Sequence, residues 1–130
     1  MNSDNISFDH VHLVCRDPKT VAQWFVDKLG GKMGNNYEIH GAPQIHIAFE
    51  GATVIIRGQR TGESAGDKSG LQYGTDHFAF RVKQNFDAYC AELKKNGVKF
   101  TVEPAQFNPT TKIAFIETPE GISIEILYKA

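Results

Sequence analysis

The chain repeats itself once. Asp9-His10 in DHVHLVCRD returns 67 positions later as Asp76-His77 in DHFAFRVK. Gly30-Gly31-Lys32 returns at the same offset as Gly97-Val98-Lys99, and Ile47-Ala48-Phe49 returns as Ile113-Ala114-Phe115 at 66. A register kept over three separated motifs implies two halves with the same order of elements. Each half alone is too short to bury a sufficient core, so the two are expected to share one domain covering residues 1–130. The modules are expected at about 6–60 and 74–128, joined by a linker, 61–73, whose TGESAGDKSG stretch is polar, rich in Gly and Ser and without periodicity.

Local signals give each half the same grammar. Ile6 to Cys15 is β-rich; Asp17-Pro18 then breaks the strand, offering Asp17 as a helix N-cap with proline at the first helical position. Val21, Trp24, Phe25 and Leu29 follow at helical spacing, with the two aromatics expected to pack on a sheet, and Gly30-Gly31 ends the run. Three strands are predicted next, roughly Lys32 to His40, Gln44 to Phe49 and Ala52 to Arg57. In the second half, Thr75 to Val82 reads as a strand. Phe86 to Lys95 reads as a helix with Phe86, Tyr89, Cys90 and Leu93 on one face. Further strands are predicted at about Val98 to Val102, Lys112 to Thr118 and Ile122 to Tyr128, with Pro119-Glu120-Gly121 turning between the last two. The expected fold class is α+β, two tandem βαβββ modules forming a curled mixed sheet around a central cavity. Tyr37 to Gln44 and Ala105 to Thr111 are expected to be loops that shape a pocket.

Charge narrows the partners. With 14 basic and 15 acidic residues the net charge is −1, and no Lys/Arg stripe with interleaved aromatics suggests nucleic acid. A small-molecule substrate is the expected partner. No apolar run is long enough to span a bilayer, and MNSDN lacks the basic start and apolar stretch of a secretory signal, so no membrane partner and a cytoplasmic location are expected. Cys15 and Cys90 have no Cys-x-x-Cys spacing and read as buried free thiols.

The DHV at the start of the first strand, the DHF opening the second half and the closing PEGISIEIL together resemble the vicinal oxygen chelate superfamily. That superfamily includes glyoxalase I, methylmalonyl-CoA epimerase, extradiol dioxygenases, fosfomycin-resistance transferases and bleomycin-binding proteins. The resemblance runs from about Ile6 to Tyr128. It implies the paired βαβββ, glyoxalase-like fold, a homodimer, and a metal held by His10, His77 and Glu125. The residue chemistry points the same way. Imidazole and carboxylate suit Fe(II), Mn, Ni or Zn, and two histidines with one carboxylate leave positions open for substrate. Glu125, among Ile122, Ile124, Ile126 and Leu127, is an acid in an apolar strand, a costly placement unless paired or metal-bound. One divalent ion per site is the expected cofactor, from one chain or shared between two.

Many relatives add a fourth ligand on the last strand of the first half. Glu125 lies four after Gly121, and four after Gly51 is Ile55, which binds no metal. The chain therefore departs from the four-ligand pattern of glyoxalase I and comes closer to the three-ligand dioxygenases and transferases. The dioxygenases place a tyrosine donor where this chain has Phe115, and FNPTTKIAF only partly matches the transferases' Ser-rich potassium loop. His12 shares a strand face with His10 and is assigned as the candidate general acid/base. Arg57, on the face of Ile55, is a candidate partner for an anionic substrate group. His40 is expected at the surface, and the phase of His46 is left open. The expected function is a metal-dependent small-molecule enzyme with the metal as Lewis acid on vicinal oxygens, dioxygenase-like or transferase-like. The alternatives are a glyoxalase I-like lyase or epimerase, and, from another class, a metal-free antibiotic-binding protein resembling the bleomycin-sequestering members.

Overall fold

The computed structural model describes residues 4–67 and 69–130; Met1 to Ser3 and Lys68 of the expected linker lie outside the described residues. The chain divides into two compact units, one ending at Gly66 and the other beginning at Asp67. The first runs β1 (His10–Val14), α1 (Pro18–Leu29), β2 (Lys32–Ile39), β3 (Ala42–Phe49) and β4 (Ala52–Arg57). The second runs β5 (Phe78–Arg81), α2 (Phe86–Lys95), β6 (Lys99–Asn108), β7 (Thr111–Glu117), a 3₁₀ turn (Pro119–Gly121) and β8 (Ser123–Lys129). Each unit is βαβββ, as the repeat predicts, and the fold is α+β.

Each unit builds a four-stranded mixed sheet, ordered β1-β4-β3-β2 in the first and β5-β8-β7-β6 in the second. The first strand pairs parallel with the last, which the intervening helix makes possible, and the remaining pairs are antiparallel. In the first unit α1 begins where Asp17 accepts from Thr20 N at 3.2 Å and from Thr20 Oγ1 at 2.6 Å. It ends at Gly30, whose φ of 74° closes the helix in the left-handed conformation. Val21, Ala22 and Phe25 are buried, as are Ile45, Ile47, Val54 and Ile56 on the sheet. Alternation then sends Gln44, His46, Thr53, Ile55 and Arg57 to the opposite, open face. In the second unit Phe86, Cys90 and Leu93 of α2 and Ala114, Ile116, Ile124 and Ile126 of the sheet form the equivalent core. Phe115 and Glu125 take the open face.

Several boundaries differ from expectation. β1 spans only His10–Val14, because its pairing with β4 runs only from His10↔Thr53 to Val14↔Arg57. β5 spans only Phe78–Arg81, so His77 lies just before the strand rather than inside it. Tyr37 to Gln44 is no loop: β2 and β3 meet at a tight turn through His40 and Gly41, with φ of 50° and 83°. Ala105 to Asn108 is not a loop either, since β6 continues through Pro104 to Asn108. Proline is tolerated there because β6 is an edge strand, and its ladder with β7 is broken by register shifts.

Candidate metal centre

The structure brings two of the three expected ligands together. Glu125, in the middle of β8, is paired with Ala79 of β5 and Phe115 of β7. His77 precedes β5, and its Nε2 lies 3.3 Å from Glu125 Oε1. Its Nδ1 lies 2.7 Å from Asp76 Oδ2. A carboxylate only accepts, so Nδ1 carries the proton and donates it to Asp76, and the lone pair of the neutral ring sits on Nε2. That lone pair then faces a carboxylate oxygen, an arrangement needing a proton or a cation between the two. The proton's share is visible in the basicity of His77. It is raised above the ordinary histidine range, first by the Asp76 hydrogen bond, which outweighs the opposing effect of burial, and then by the hydrogen bond and charge of Glu125.

The pair also has a separation suited to a shared ion. Ligand atoms each about 2.1 Å from one metal lie roughly 3.0–3.4 Å apart across octahedral or tetrahedral angles. Phe115 stands edge-on to the His77 ring at 4.9 Å between centroids and walls the pair with hydrocarbon. It brings no hydrogen-bond donor to this position.

His10, in the first unit, repeats the local device. Its Nδ1 lies 2.7 Å from Asp9 Oδ2, which fixes the proton on Nδ1 and presents Nε2 as the free donor atom. Among the described residues no group of three or more His, Cys, Asp or Glu side chains converges as a complete metal site. His12 shares the open face with His10, their rings edge to face at 5.9 Å. Its pKa is lowered, first by burial and then by the positive charges of Arg57, His10, Arg60 and His46, which favours a neutral imidazole near pH 7.

The register shows what stands in place of a fourth ligand. Ile55 pairs with His12 of β1 and His46 of β3, as Glu125 pairs with Ala79 and Phe115. Ile55 is buried, and its position in the first sheet is thus that of Glu125 in the second. His46 lies on the same open face, its Nε2 3.2 Å from Tyr37 Oη. His40 is exposed in the β2–β3 turn. Arg57 makes a bidentate ion pair with Glu63, one contact at 3.1 Å.

Asp9 and Asp76 are not among the expected site residues, although the repeated Asp-His dipeptide is a signal for a carboxylate orienting each imidazole. The start of the linker, residues 61 to 63, is exposed, and it is also tied to the first unit, with Thr61 N donating to His40 O at 2.9 Å and Arg60 N to Glu63 Oε1 at 2.8 Å.

The glyoxalase/bleomycin resistance protein/dioxygenase superfamily profile matches residues 7–126, and the chain belongs to that superfamily. A glyoxalase/bleomycin resistance protein/dioxygenase domain from Frankia sp. EAN1pec is 23% identical, with a TM-score of 0.74 over 93% of this chain and 95% of that one. A glyoxalase family protein from Bacillus cereus superposes with a TM-score of 0.80 over 99% of both chains at 16% identity. The trypanothione-dependent glyoxalase I of Leishmania major gives 0.71 at 16% identity, over 92% of this chain and 84% of that one. At these identities the likeness establishes the glyoxalase-like fold. No curated protein matches the chain. No helix among the described residues is long and apolar enough to cross a membrane.

Proposed function

We propose that the chain is a divalent-metal-dependent enzyme acting on a small molecule through two neighbouring oxygens, with His10, His77 and Glu125 as the metal ligands. The observation that carries this reading is the approach of His77 Nε2 to Glu125 Oε1 at 3.3 Å while Asp76 occupies the other ring nitrogen. Asp9 prepares His10 in the same way. The donor set of two imidazoles and one carboxylate suits Fe(II), Mn, Ni or Zn. When bound, such an ion supplies Lewis acidity toward the substrate oxygens.

The chain's own residues supply the rest. Asp9 and Asp76 hold the imidazoles in one tautomer and orientation, so that ordering is complete before substrate arrives. Phe115 keeps one wall of the His77–Glu125 pair dry. His12, neutral near pH 7 and on the face of His10, is placed to take a proton from a substrate carbon or oxygen. Ile55 withholds a fourth ligand, which ranks dioxygenase-like or transferase-like chemistry ahead of a glyoxalase I-like lyase or epimerase. The ligand set is completed within one chain or between two chains of a homodimer, and the reaction is a cytoplasmic one.

The test is elemental analysis of anaerobically purified protein beside His77→Ala. About one equivalent of metal per chain, lost in the variant, supports the reading, and the identity of the metal directs the substrate screen. No metal in either protein after soaking with Fe(II), Mn, Ni and Zn overturns it in favour of a metal-free antibiotic-binding protein.

A further inference from the structure

The open face of the first sheet gathers basic groups. Across β1, β4 and β3, the row His12, Ile55, His46 is followed by the row Val14, Arg57, Gln44. His10 stands one row before them, and Arg60 reaches back from the segment after β4 to donate from Nη2 to Gln44 Oε1 at 2.7 Å. Two acids meet these cations. Asp9 is bound to His10, and Glu63 is taken by both guanidinium nitrogens of Arg57 and by the backbone N–H of Arg60.

Arg60 is left over. Among the described residues no carboxylate forms an ion pair with its side chain, and its anchor is the neutral amide of Gln44, itself 7% exposed. Its Nε–H is shielded from solvent and has no hydrogen-bond partner among the described residues. Glu63 is close enough to feel the charge of Arg60 but is clamped by Arg57, so the shielded Nε–H keeps a donor without an acceptor, which an incoming anion's oxygen would satisfy. Guanidinium Nε and Nη2 form a fork that fits two oxygens of a carboxylate or phosphate. Arg57 reinforces the site from β4, and Tyr37 Oη with His46 adds hydrogen-bonding groups along the same face.

We propose that this face receives an oxyanion, a carboxylate or phosphate group of the small-molecule ligand, with Arg60 as the anchoring residue and Gln44 holding Arg60 in place. The proposal names a substrate class for the enzyme reading and rests on that reading only in calling the bound molecule a substrate. The site itself lies wholly on the first unit. Glu63 has a defined place in it: as the resident carboxylate beside Arg57, it lowers the positive charge that an incoming anion meets.

The test titrates inorganic phosphate and, separately, malonate into the full chain in 0.15 M NaCl, where long-range attraction is screened. Arginine Nε–H resonances are followed by NMR. Saturable shifts of the Arg60 signal with either probe are expected, and whichever binds tighter identifies a phosphate or a carboxylate as the group preferred. Arg60→Gln should weaken binding at least tenfold, Arg60→Lys less, and His77→Ala not at all, so a failure of the metal reading leaves this result standing. Glu63→Gln should tighten binding, which keeps the test decisive if Arg60→Gln does not fold. No saturable shift with either probe, equal binding by Arg60→Gln, or unchanged or weaker binding by Glu63→Gln overturns the proposal.

Discussion

Ile55 holds in the first sheet the register position that Glu125 holds in the second: each sits in the last strand of its βαβββ unit, between the parallel first strand and the antiparallel third. The backbone position is repeated while the chemistry is not. Where the second sheet offers a carboxylate to His77, the first offers a buried hydrocarbon flanked by His12 and His46. This asymmetry predicts opposite consequences for conservative changes at the two positions. Glu125→Gln should reduce metal affinity by tenfold or more with little loss of stability. Ile55→Val should leave metal content unchanged and destabilise by about 1 kcal/mol. Elemental analysis and denaturant melts of the two variants check both. Equal metal content in Glu125→Gln and wild type would remove Glu125 from the ligand set.

The Asp76–His77 contact at 2.7 Å gives a second prediction. Losing a carboxylate behind a ligating imidazole lowers metal affinity by roughly 10–100-fold, since the ring is released to rotate and to change tautomer. Asp76→Ala should show that loss with Glu125 intact, and Asp9→Ala should show a comparable one through His10. Competition with a chelator measures both. An unchanged affinity in Asp76→Ala would mean that its hydrogen bond serves only the local fold.

These carboxylates also mark the limit of what the sequence discloses. The repeat made the βαβββ order, the pairing of His10 with His77 and the Ile55 position readable, because periodicity and register are local properties that neighbouring residues share. The reach of β6 to Asn108 was not readable. Pro104 is an ordinary strand breaker, and only an edge position makes it compatible with pairing. Nor was the open-face placement of His46. It depends on strand phase in β3, which a Gly-Ala-Pro turn signal left ambiguous and which the Ile45 and Ile47 burial settles. The Glu63 clamp on Arg57 was hidden for a different reason. A Gly-rich segment carries no periodicity, so a tertiary contact inside it leaves no pattern.

His12 carries a prediction about chemistry separate from metal binding. It lies on the face of His10, with the rings 5.9 Å apart, and burial and nearby positive charges lower its pKa. A neutral imidazole of that kind accepts a proton without first having to lose one. His12→Asn should cut turnover by roughly 10²–10⁴-fold, the usual contribution of a positioned acid or base, while metal content stays at the wild-type level. Unchanged turnover on the substrate found by screening would take His12 out of the mechanism.

Gly31 tests the packing that positions the first sheet. A Cβ built there would lie 2.4 Å from Ile47 Cγ2 and 2.7 Å from Phe49 Cζ, both side chains of β3. Ile47 is fully buried, so it has little room to withdraw. Gly31→Ala should therefore destabilise by about 1–3 kcal/mol. Gly51, in the turn after β3, has no atom within 4 Å of the equivalent point, but its φ of 87° strains any side-chain residue. Gly51→Asn, which tolerates that conformation best, should be milder than Gly31→Ala. Thermal melts rank the two, and the reverse order would show that Ile47 and Phe49 repack freely.

Cys90 gives the pH dependence of the second unit. The thiol is 1% exposed on the inner face of α2, and burial, assisted by the negative charge of Asp87, pushes its pKa up to about 11 from 9.0. The unfolded chain then ionises first. The stability contributed by the neutral buried thiol is complete below pH 9 and is lost as pH rises through about 11. Tyr89, beside it, is also raised by burial and acts in the same direction. Cys90→Ala separates the two, keeping the Tyr89 contribution and removing that of the thiol. Denaturant midpoints measured from pH 8 to 10.5 should fall more steeply in wild type than in Cys90→Ala. The folded protein should also leave Cys90 unmodified by a thiol reagent at pH 8, because thiolate is the reactive form and the sulfur is enclosed. Parallel slopes for the two proteins, or rapid modification of Cys90 under native conditions, would mean that α2 opens readily and that the burial which raises the thiol is not maintained in solution.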